Sequence, residues 1–415
     1  MRLLKTGLLF IALLIGCSEE KSSQTSAAEG ADIPDHIKKL DSLKVYSPDT
    51  QEYDTVTFKQ EQVLESNEEV FIKGYIGETA VDNQGRIFIV GSVPGTLGIY
   101  VFNPDGSHLT TFSRFGRGPG EFEAIGSLDI RNKKLFVFDP RLQKFSVFSL
   151  EDFSLLDEEL IQRDKVQHED TLAYRLKGDE LHATNDGNLL LKQRNLALNK
   201  EADIPTVLYS RVSNEGELMP GRVLELERFR FYFPDTERSS EGYIRMPRTM
   251  PFGRSSLVAI SDDGPIYTAW TEDILIKVHD EDGNYQRAIY YPYDNSSLTL
   301  SEAKLSESKM DLISENKGQV PDSWPALHAI EVDDENRLWV FSITDSDSTY
   351  EGWVLEEDGE LIAKFSWPGE RSQRSVMGSS YEVIVKDGYL YSHHQNMDAG
   401  IDRIVKYRIE FEERQ

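Results

Sequence analysis

The chain of 415 residues carries 72 acidic side chains against 45 basic ones, a formal net charge of −27 at pH 7. Hydrophobic residues make up 39% and aromatic residues 10%, which is enough apolar material for a large core and excludes global disorder. A surface that binds nucleic acid neutralises phosphates with Lys and Arg, so this acidic balance excludes a nucleic-acid partner.

The N-terminus has the layout of a signal peptide. Two basic side chains in residues 1–5 precede the apolar run 7–15, which is too short to span a membrane comfortably. Residues 14–17, Leu-Ile-Gly-Cys, resemble a bacterial lipobox. That resemblance implies cleavage before Cys17 and a diacylglycerol group on its thiol. An ordinary signal peptide and a short membrane anchor are the alternatives.

The sequence therefore predicts three segments. They are a lipoprotein signal peptide over residues 1–16, a lipidated Cys17 with a flexible tether over 17–43, and a folded body over 44–415. Residues 18–30 are rich in Ser, Ala, Glu and Lys, as in flexible linkers. Because Cys17 is the single cysteine, lipidation also explains an otherwise odd thiol. The expected location is the cell envelope, as an outer-membrane lipoprotein facing the periplasm or the surface, and the membrane is the expected first partner.

From residue 44 onwards, short apolar runs alternate with Asp, Asn and Gly turns, a pattern typical of β-hairpins. One hairpin recurs six times, at residues 80–90, 128–138, 182–191, 258–267, 330–340 and 383–391. A second hairpin follows five of these, at residues 100–106, 147–152, 209–216, 277–283 and 353–359. Two hairpins form a four-stranded antiparallel sheet, so the sequence predicts an all-β fold, a six-bladed β-propeller.

Three features complete this prediction. The sixth repeat lacks a second hairpin, and Thr55 to Phe58 are expected to supply its outer strand and close the ring. Insertions are expected at residues 234–254 and 295–325. In the second insertion, apolar residues at helical spacing over 298–313 and a capping box from Thr299 to Glu302 predict one short helix.

The run Gly-Arg-Gly-Pro-Gly-Glu-Phe at 116–122, the Asp/Gly hairpins and the segment 33–46 carry a family resemblance. Together they resemble the six-bladed β-propeller lipoproteins of Gram-negative bacteria, which are related in fold to TolB-like and NHL-type propellers. The resemblance covers residues 33–411. It implies the fold and barely constrains the activity, because one fold hosts many functions.

The strongest candidate site is the glycine-rich run with its flanking residues Arg114, Arg117, Glu121 and Phe122. Closely spaced glycines let backbone N–H groups converge on an anion, and two arginines add bidentate donors. The structural alternative is a tight crossover between blades, with Phe122 packed between sheets and Glu121 paired to an arginine.

The first insertion supplies further candidates, Arg248 and Arg254, among apolar and aromatic residues. Loops on a propeller gather on one face and can line a groove for a sugar or peptide. An irregular loop held by salt bridges is the alternative.

No cofactor is predicted outright, although an acidic propeller could hold calcium in its central channel. A ring of histidines at the channel, including His182 and His328, is conceivable, but scattered structural histidines are favoured. His393 and His394 are neighbours on a strand, so they point to opposite faces and cannot chelate one metal well. Residues 280–284 are acidic, but their glycine comes too early for an EF-hand.

Two functions follow as hypotheses. The first is a lipid-anchored envelope propeller that binds an oligosaccharide, a peptide or another envelope protein. The alternative is a metal-dependent propeller hydrolase or lyase, similar to lactonase-like propellers, with its site at the channel mouth. A metal held by inner-strand residues would favour the enzyme, and a dry apolar channel would favour the binding module.

Overall fold

The structure, a computed structural model, describes residues 33–47, 51–66, 72, 74–93, 95–163, 176–195, 205–228, 252–299, 302, 320–369, 371, 383–396 and 399–413, together with the backbone of 231–232 and 248–249. The predicted signal peptide, Cys17 and most of the two predicted insertions lie outside these residues. No helix among the described residues is long and apolar enough to cross a membrane.

A short helix and two strands precede the first blade: α1 (Asp35–Lys38), β1 (Leu43–Val45) and β2 (Asp54–Leu64). Six sheets follow, numbered here as blades in chain order. Blade 1 contains β3 (Tyr75–Val81), β4 (Ile87–Val93), β5 (Thr96–Phe102) and β6 (His108–Phe112). A two-stranded pair then forms from β7 (Arg114–Phe115) and β8 (Glu121–Phe122). Blade 2 contains β9 (Ser127–Arg131), β10 (Lys134–Asp139), β11 (Lys144–Ser149) and β12 (Leu155–Leu160).

The remaining blades continue the same four-stranded pattern. Blade 3 contains β13 (Gly178–Ala183), β14 (Leu189–Asn195), β15 (Thr206–Val212) and β16 (Leu224–Glu227), and the small pair β17 (Phe231–Tyr232) and β18 (Arg248–Thr249) follows it. Blade 4 contains β19 (Ser256–Ile260), β20 (Ile266–Trp270), β21 (Ile274–His279) and β22 (Tyr285–Tyr291). Blade 5 contains β23 (Leu327–Val332), β24 (Leu338–Ile343), β25 (Thr349–Leu355) and β26 (Leu361–Pro368). Blade 6 contains β27 (Val383–Lys386), β28 (Tyr389–Asn396) and β29 (Ile401–Glu412).

Blade 6 takes its outer strand from the start of the folded chain. Strand β2 pairs antiparallel with β29 from Thr55↔Glu412 to Leu64↔Ile404. This confirms the predicted ring closure and completes the predicted fold, a six-bladed β-propeller of four-stranded antiparallel blades. The strand is longer than the predicted run of four residues. Its first residues also pair in parallel with β26, which joins blades 5 and 6 into one eight-stranded sheet.

The packed chain begins earlier than the predicted boundary at residue 44. Ile37 in α1 is fully buried, and β1 pairs in parallel with β22 as a fifth strand of blade 4. Tyr46 stacks on Tyr291, with 5.3 Å between the ring centroids. The end of the predicted flexible tether, residues 33–43, therefore lies against the propeller, where Ile37 is buried.

Local sequence explains the hairpin turns. In the turn between β3 and β4, the Asp82 carboxylate accepts hydrogen bonds from the backbone N–H groups of Gln84 and Arg86, both at 2.9 Å. Asp333 does the same for Glu335 and Arg337 in blade 5. Such Asx turns fix the chain reversal from within the turn itself.

The predicted inserted helix lies mostly outside the described residues, and α1 is a different helix. The capping box that would begin the inserted helix is present. The Thr299 hydroxyl and backbone N–H both donate to the Glu302 carboxylate, at 2.7 and 2.8 Å.

Apolar clusters fill the interfaces between blades. In the described part of the chain, five of the six interfaces hold between ten and sixteen buried apolar residues each. The interface between blades 3 and 4 holds four, namely Leu190, Tyr209, Leu224 and Ile266. Packing between these two blades is therefore the least apolar in the ring.

The strand order divides the ring into two faces. Each blade starts at its innermost strand and its four strands alternate in direction. The connections between blades therefore emerge on one side, here called the loop face. The turns between the first and second strands, and between the third and fourth, lie on the opposite side, here called the hairpin face.

Candidate functional site

The glycine-rich loop encloses its own carboxylate. The Glu121 side chain lies 2.6 Å from Arg114 and accepts the Gly118 N–H at 2.9 Å. The hydrogen bond from Gly118, followed by that from Arg114, lowers the pKa of Glu121. A Cβ atom at Gly116 would lie 2.1 Å from the Glu121 carboxylate, which explains the glycine there. The Gly118 N–H therefore binds an anion of the loop itself, while the Gly116 N–H donates to the Phe122 carbonyl and the Gly120 N–H to the Glu158 carboxylate.

The other two candidates in this loop are separated from each other. Arg117 pairs with Glu123 at 2.6 Å and is 76% exposed, while Phe122 is fully buried between blades 1 and 2. These contacts agree with the structural alternative, in which the loop is a tight crossover between blades. A role of this loop in ligand binding stays a prediction.

Arg254 is buried and holds the connection before blade 4 to the connection before blade 5 through hydrogen bonds. Its side chain is 7% exposed, and it pairs with Glu272 and donates to the backbone carbonyls of Phe252, Ser323 and Trp324. Arg248 lies in β18, of which only the backbone is described. The structure thus does not bring Arg254 together with the glycine-rich loop, which lies between blades 1 and 2.

A cleft of about 530 Å³ opens on the loop face between blades 3 and 4, and we call it the blade 3–4 cleft. It lies where the apolar cluster is smallest. Its floor is partly apolar, from Val207, Leu226, Leu257 and Val258. Charged and polar groups project from blade 3, namely Asp179, Glu180, Lys192, Arg194, Tyr209 and Arg228.

The charges in the blade 3–4 cleft form two matched pairs. The Lys192 ammonium lies 2.7 and 2.8 Å from the two oxygens of Glu180, its partner in the strand register. Arg194 forms two hydrogen bonds to the Asp179 carboxylate, one of them at 2.6 Å through Nη2. Both pairs are partly exposed, so their remaining donors and acceptors can reach a ligand.

Two further groups complete the cleft. Burial and the Glu180 carboxylate raise the pKa of Tyr209, so its hydroxyl stays protonated and can donate. Burial and the neighbouring Arg194 lower the pKa of Arg228. The cleft thus presents three cations and two carboxylates in a protein of large negative charge, and it can bind polar groups from several sides.

A second cavity lies in the central channel at the hairpin face. It has a volume of about 220 Å³, and innermost strands of all six blades line it. Its ionisable lining residues are Asp129, Arg131, His182, Asp262, Glu331, Asp333, Asp334 and Lys386. The channel is polar, so it is not the dry apolar channel that would favour a pure binding module.

His182 lies between two carboxylates in this channel. Its Nδ1 is 3.9 Å from Asp129 and its Nε2 is 3.9 Å from Glu180. Burial lowers the pKa of His182 and raises the pKa of Asp129. These shifts bring a carboxyl group and an imidazole closer in proton affinity, which is the chemistry needed for proton transfer.

The other three histidines singled out in the sequence lie elsewhere. His328 stacks on Tyr350 at 4.4 Å, His393 pairs with Asp402 at 2.6 Å, and His394 lies beside Tyr407. They form no ring around the channel. Within the described ranges, no group of three or more His, Cys, Asp or Glu side chains is arranged to hold a metal.

Sequence reasoning missed the blade 3–4 cleft. A signal was present, because the inner strand of blade 3 reads Gly-Asp-Glu-Leu-His-Ala while those of blades 4 and 6 read Ser-Leu-Val-Ala-Ile and Val-Ile-Val-Lys. Three ionisable residues on an inner strand mark the blade that packs differently.

Comparisons with known proteins give the fold. Residues 51–210, less than half of the chain, match the model of a protein family described as "6-bladed beta-propeller" (DUF5128). No curated protein matches the chain.

Three solved structures resemble the chain at low identity and with TM-scores below 0.5. A protein described as exported, from Bacteroides fragilis, is 12% identical with a TM-score of 0.45, over 89% of this chain and all of that one. A member of the DUF4221 family from Bacteroides vulgatus is 12% identical with a TM-score of 0.48, over 87% and 99%. A calcium-binding protein, regucalcin, from Agrobacterium tumefaciens is 10% identical with a TM-score of 0.40, over 90% and 98%. Similarity at this level says nothing of activity.

Proposed function

We propose that this protein is a lipid-anchored ligand-binding module of the cell envelope and that the blade 3–4 cleft is its binding site. The observation that carries the proposal is a small apolar cluster at this interface beside two charge pairs that blade 3 directs into the cleft. Charged pairs stabilise a blade interface less than apolar packing does, since desolvation offsets their attraction. Their presence beside an open cleft supports a role in binding.

The chemistry of the cleft favours a polar ligand such as an oligosaccharide or a peptide. Lys192 and Glu180 neutralise each other, as do Arg194 and Asp179, so each pair offers donors and acceptors with little net charge. Hydroxyl and amide groups need both. Acyl chains on Cys17 would hold the cleft near the membrane, each buried CH₂ contributing about 0.8 kcal/mol.

Titration calorimetry with a panel of oligosaccharides and peptides tests this proposal. We expect one class to bind, and we expect Lys192→Met to weaken that binding at least tenfold. Lys364→Met is the matched control, because Lys364 pairs with Glu351 at similar exposure on blade 5. A panel without a binder, or equal effects of the two substitutions, would refute the assignment.

The enzyme alternative has one observation in its favour, the Asp129–His182 couple in the channel. The metal ion that this alternative requires, with calcium as the candidate, stays a prediction. A thermal-shift series with calcium and with a chelator tests it, since a ligand at a hundred times its Kd adds about 2.7 kcal/mol of stability. A large shift with calcium, reversed by chelator, would favour the metal-dependent enzyme.

A further inference from the structure

Two partly buried cations face the channel cavity on the hairpin face, opposite the blade 3–4 cleft. Arg131 at the end of β9 is 10% exposed, and Lys386 at the end of β27 is 12% exposed. Both approach the same carboxylate, Asp262, at 3.0 Å from Arg131 and 3.9 Å from Lys386. The two cations therefore share one carboxylate at this point of the channel.

Only one of the three guanidinium nitrogens of Arg131, Nη1, forms hydrogen bonds to the described residues. Its Nη1 donates to the Asp262 carbonyl at 2.6 Å and lies 3.5 Å from the Asn185 side-chain oxygen. All its hydrogen bonds to the described residues run through Nη1, and the buried Nε has no partner among them. The Nη2 group also has no partner among the described residues, but it is not fully buried, and a guanidinium N–H group of this kind binds a carboxylate.

The same cavity also presents carboxylates. Asp129 accepts the Ala183 N–H through Oδ2 at 2.8 Å, and Asp334 reaches the cavity from the turn after β23. A purely anionic ligand would be repelled by these groups. A ligand that carries an ammonium group next to its carboxylate would be attracted by both sets.

We propose that the channel mouth on the hairpin face binds a zwitterionic ligand, a free α-amino acid or a dipeptide. The carboxylate lies on the Nη2 group of Arg131, with Lys386 as the second positive charge. The ammonium group faces Asp129 and Asp334. An adjoining cleft of about 580 Å³, which shares Ile130, Arg131 and Asp262 with the cavity, has room for the side chain.

Titration calorimetry of the whole protein with neutral amino acids and dipeptides tests this site, with succinate and inorganic phosphate as anionic probes. We expect an amino acid or dipeptide to bind and both anions to bind at least tenfold more weakly. Arg131→Gln should reduce the affinity at least tenfold. Arg131→Lys should also weaken it, because Lys keeps the charge but loses the planar guanidinium that holds the Asp262 carbonyl and the ligand at once.

Arg211→Gln is the matched control. Arg211 also reaches the hairpin face and is 13% exposed, but both of its terminal nitrogens are engaged, with Asp186, Asp282 and the Glu281 carbonyl. Its substitution should leave amino-acid affinity unchanged. Equal binding of succinate or phosphate, no binding of any amino acid or dipeptide, or unchanged affinity in Arg131→Gln would overturn the proposal.

A second measurement covers the case in which Arg131→Gln does not fold. In ¹⁵N NMR spectra of the unsubstituted protein, the Nε–H signal of Arg131 should shift on addition of the bound amino acid. The Nε–H signal of Arg211 should stay in place. Movement of neither signal would contradict the site.

Discussion

At the scale of single residues, Asp387 shows how neighbouring charges set the pH dependence of stability. It lies in the turn between β27 and β28, where its backbone N–H donates to the Asp334 carboxylate at 3.1 and 3.2 Å. Desolvation and the Asp334 charge raise the pKa of Asp387, opposed by Lys386 and assisted by Asp82. The native state therefore holds this proton more tightly than the unfolded chain does.

The first prediction follows from the sign of this shift. As pH rises from about 4, the ordinary value, through the raised native pKa, the unfolded chain loses its proton first and native stability falls. Asp387→Asn removes this loss. We expect the variant to gain stability relative to wild type between pH 3 and pH 7, by less than about 1 kcal/mol at this exposed turn, measured by thermal unfolding against pH.

Asp105 provides the opposite control. Hydrogen bonds from Ser107 lower the pKa of Asp105, so its contribution is present at neutral pH and is lost as the pH falls below the ordinary value. Asp105→Asn should therefore lose stability relative to wild type over the same pH range. Curves that run parallel to wild type for both variants would contradict the assignment of these shifts.

A second prediction at this scale concerns Arg254, which ties three backbone carbonyls and Glu272 together. Lys cannot reproduce this planar set of donors, so buried acceptors would be left unpaired. We expect Arg254→Lys to lower the free energy of unfolding by about 2 kcal/mol, measured by urea denaturation. The exposed Arg117→Lys should change nothing measurable, and equal effects of the two would show that Arg254 is not a structural tie.

Single residues also show where prediction from sequence stopped. The glycine-rich run predicted N–H groups that converge on an anion, but the sequence does not say which acceptor each N–H group meets. The structure supplies Glu121 itself, held by Gly118 and Arg114. Arg131 was not predicted at all, because its unused guanidinium edge depends on the position of Asp262, 131 residues further along the chain.

At the scale of elements, β2 determines whether the ring is closed. Its apolar alternation made it visible in the sequence, and Phe58 packs edge-on against Phe365 and Trp367 at 5.2 and 5.0 Å. The same strand contributes Val56 to the core between blades 5 and 6. The strand thus joins the N-terminal part of the folded chain to blades 5 and 6.

The third prediction tests this closure. Phe58→Ala should lower the free energy of unfolding by about 3 kcal/mol, since it removes an aromatic side chain packed among aromatic neighbours. The midpoint of urea unfolding measures it. Leu109→Ala on the outer strand of blade 1, where Leu109 is 43% exposed, should cost less than about 1 kcal/mol. Similar costs for both would show that β2 contributes no special stability.

At the scale of the whole molecule, features that depend on local sequence could be predicted, and features that depend on contacts between distant segments could not. Each blade carries its own Asp, Asn and Gly turn residues, so the hairpins and their number followed from the sequence. The blade 3–4 cleft did not, because it depends on which sheet faces oppose each other and on how poorly they fill the space between them. In the sequence, Glu180 and Lys192 look like ordinary strand residues. Only the position of blade 4 beside blade 3 makes them line a cleft.

The net charge of −27 leads to the last prediction. Two effects of salt compete. Salt screens repulsion among the excess carboxylates, and it also weakens exposed ion pairs such as Arg114–Glu121. Exposed pairs contribute little, about 0–1 kcal/mol each, while the Debye length falls from about 30 Å at 0.01 M to about 10 Å at 0.1 M, which removes repulsion across the whole surface. We therefore expect the Tm to rise when NaCl is increased over this range, with choline chloride giving the same rise. A rise with sodium alone would indicate cation binding, and a fall with both salts would show that the ion pairs dominate.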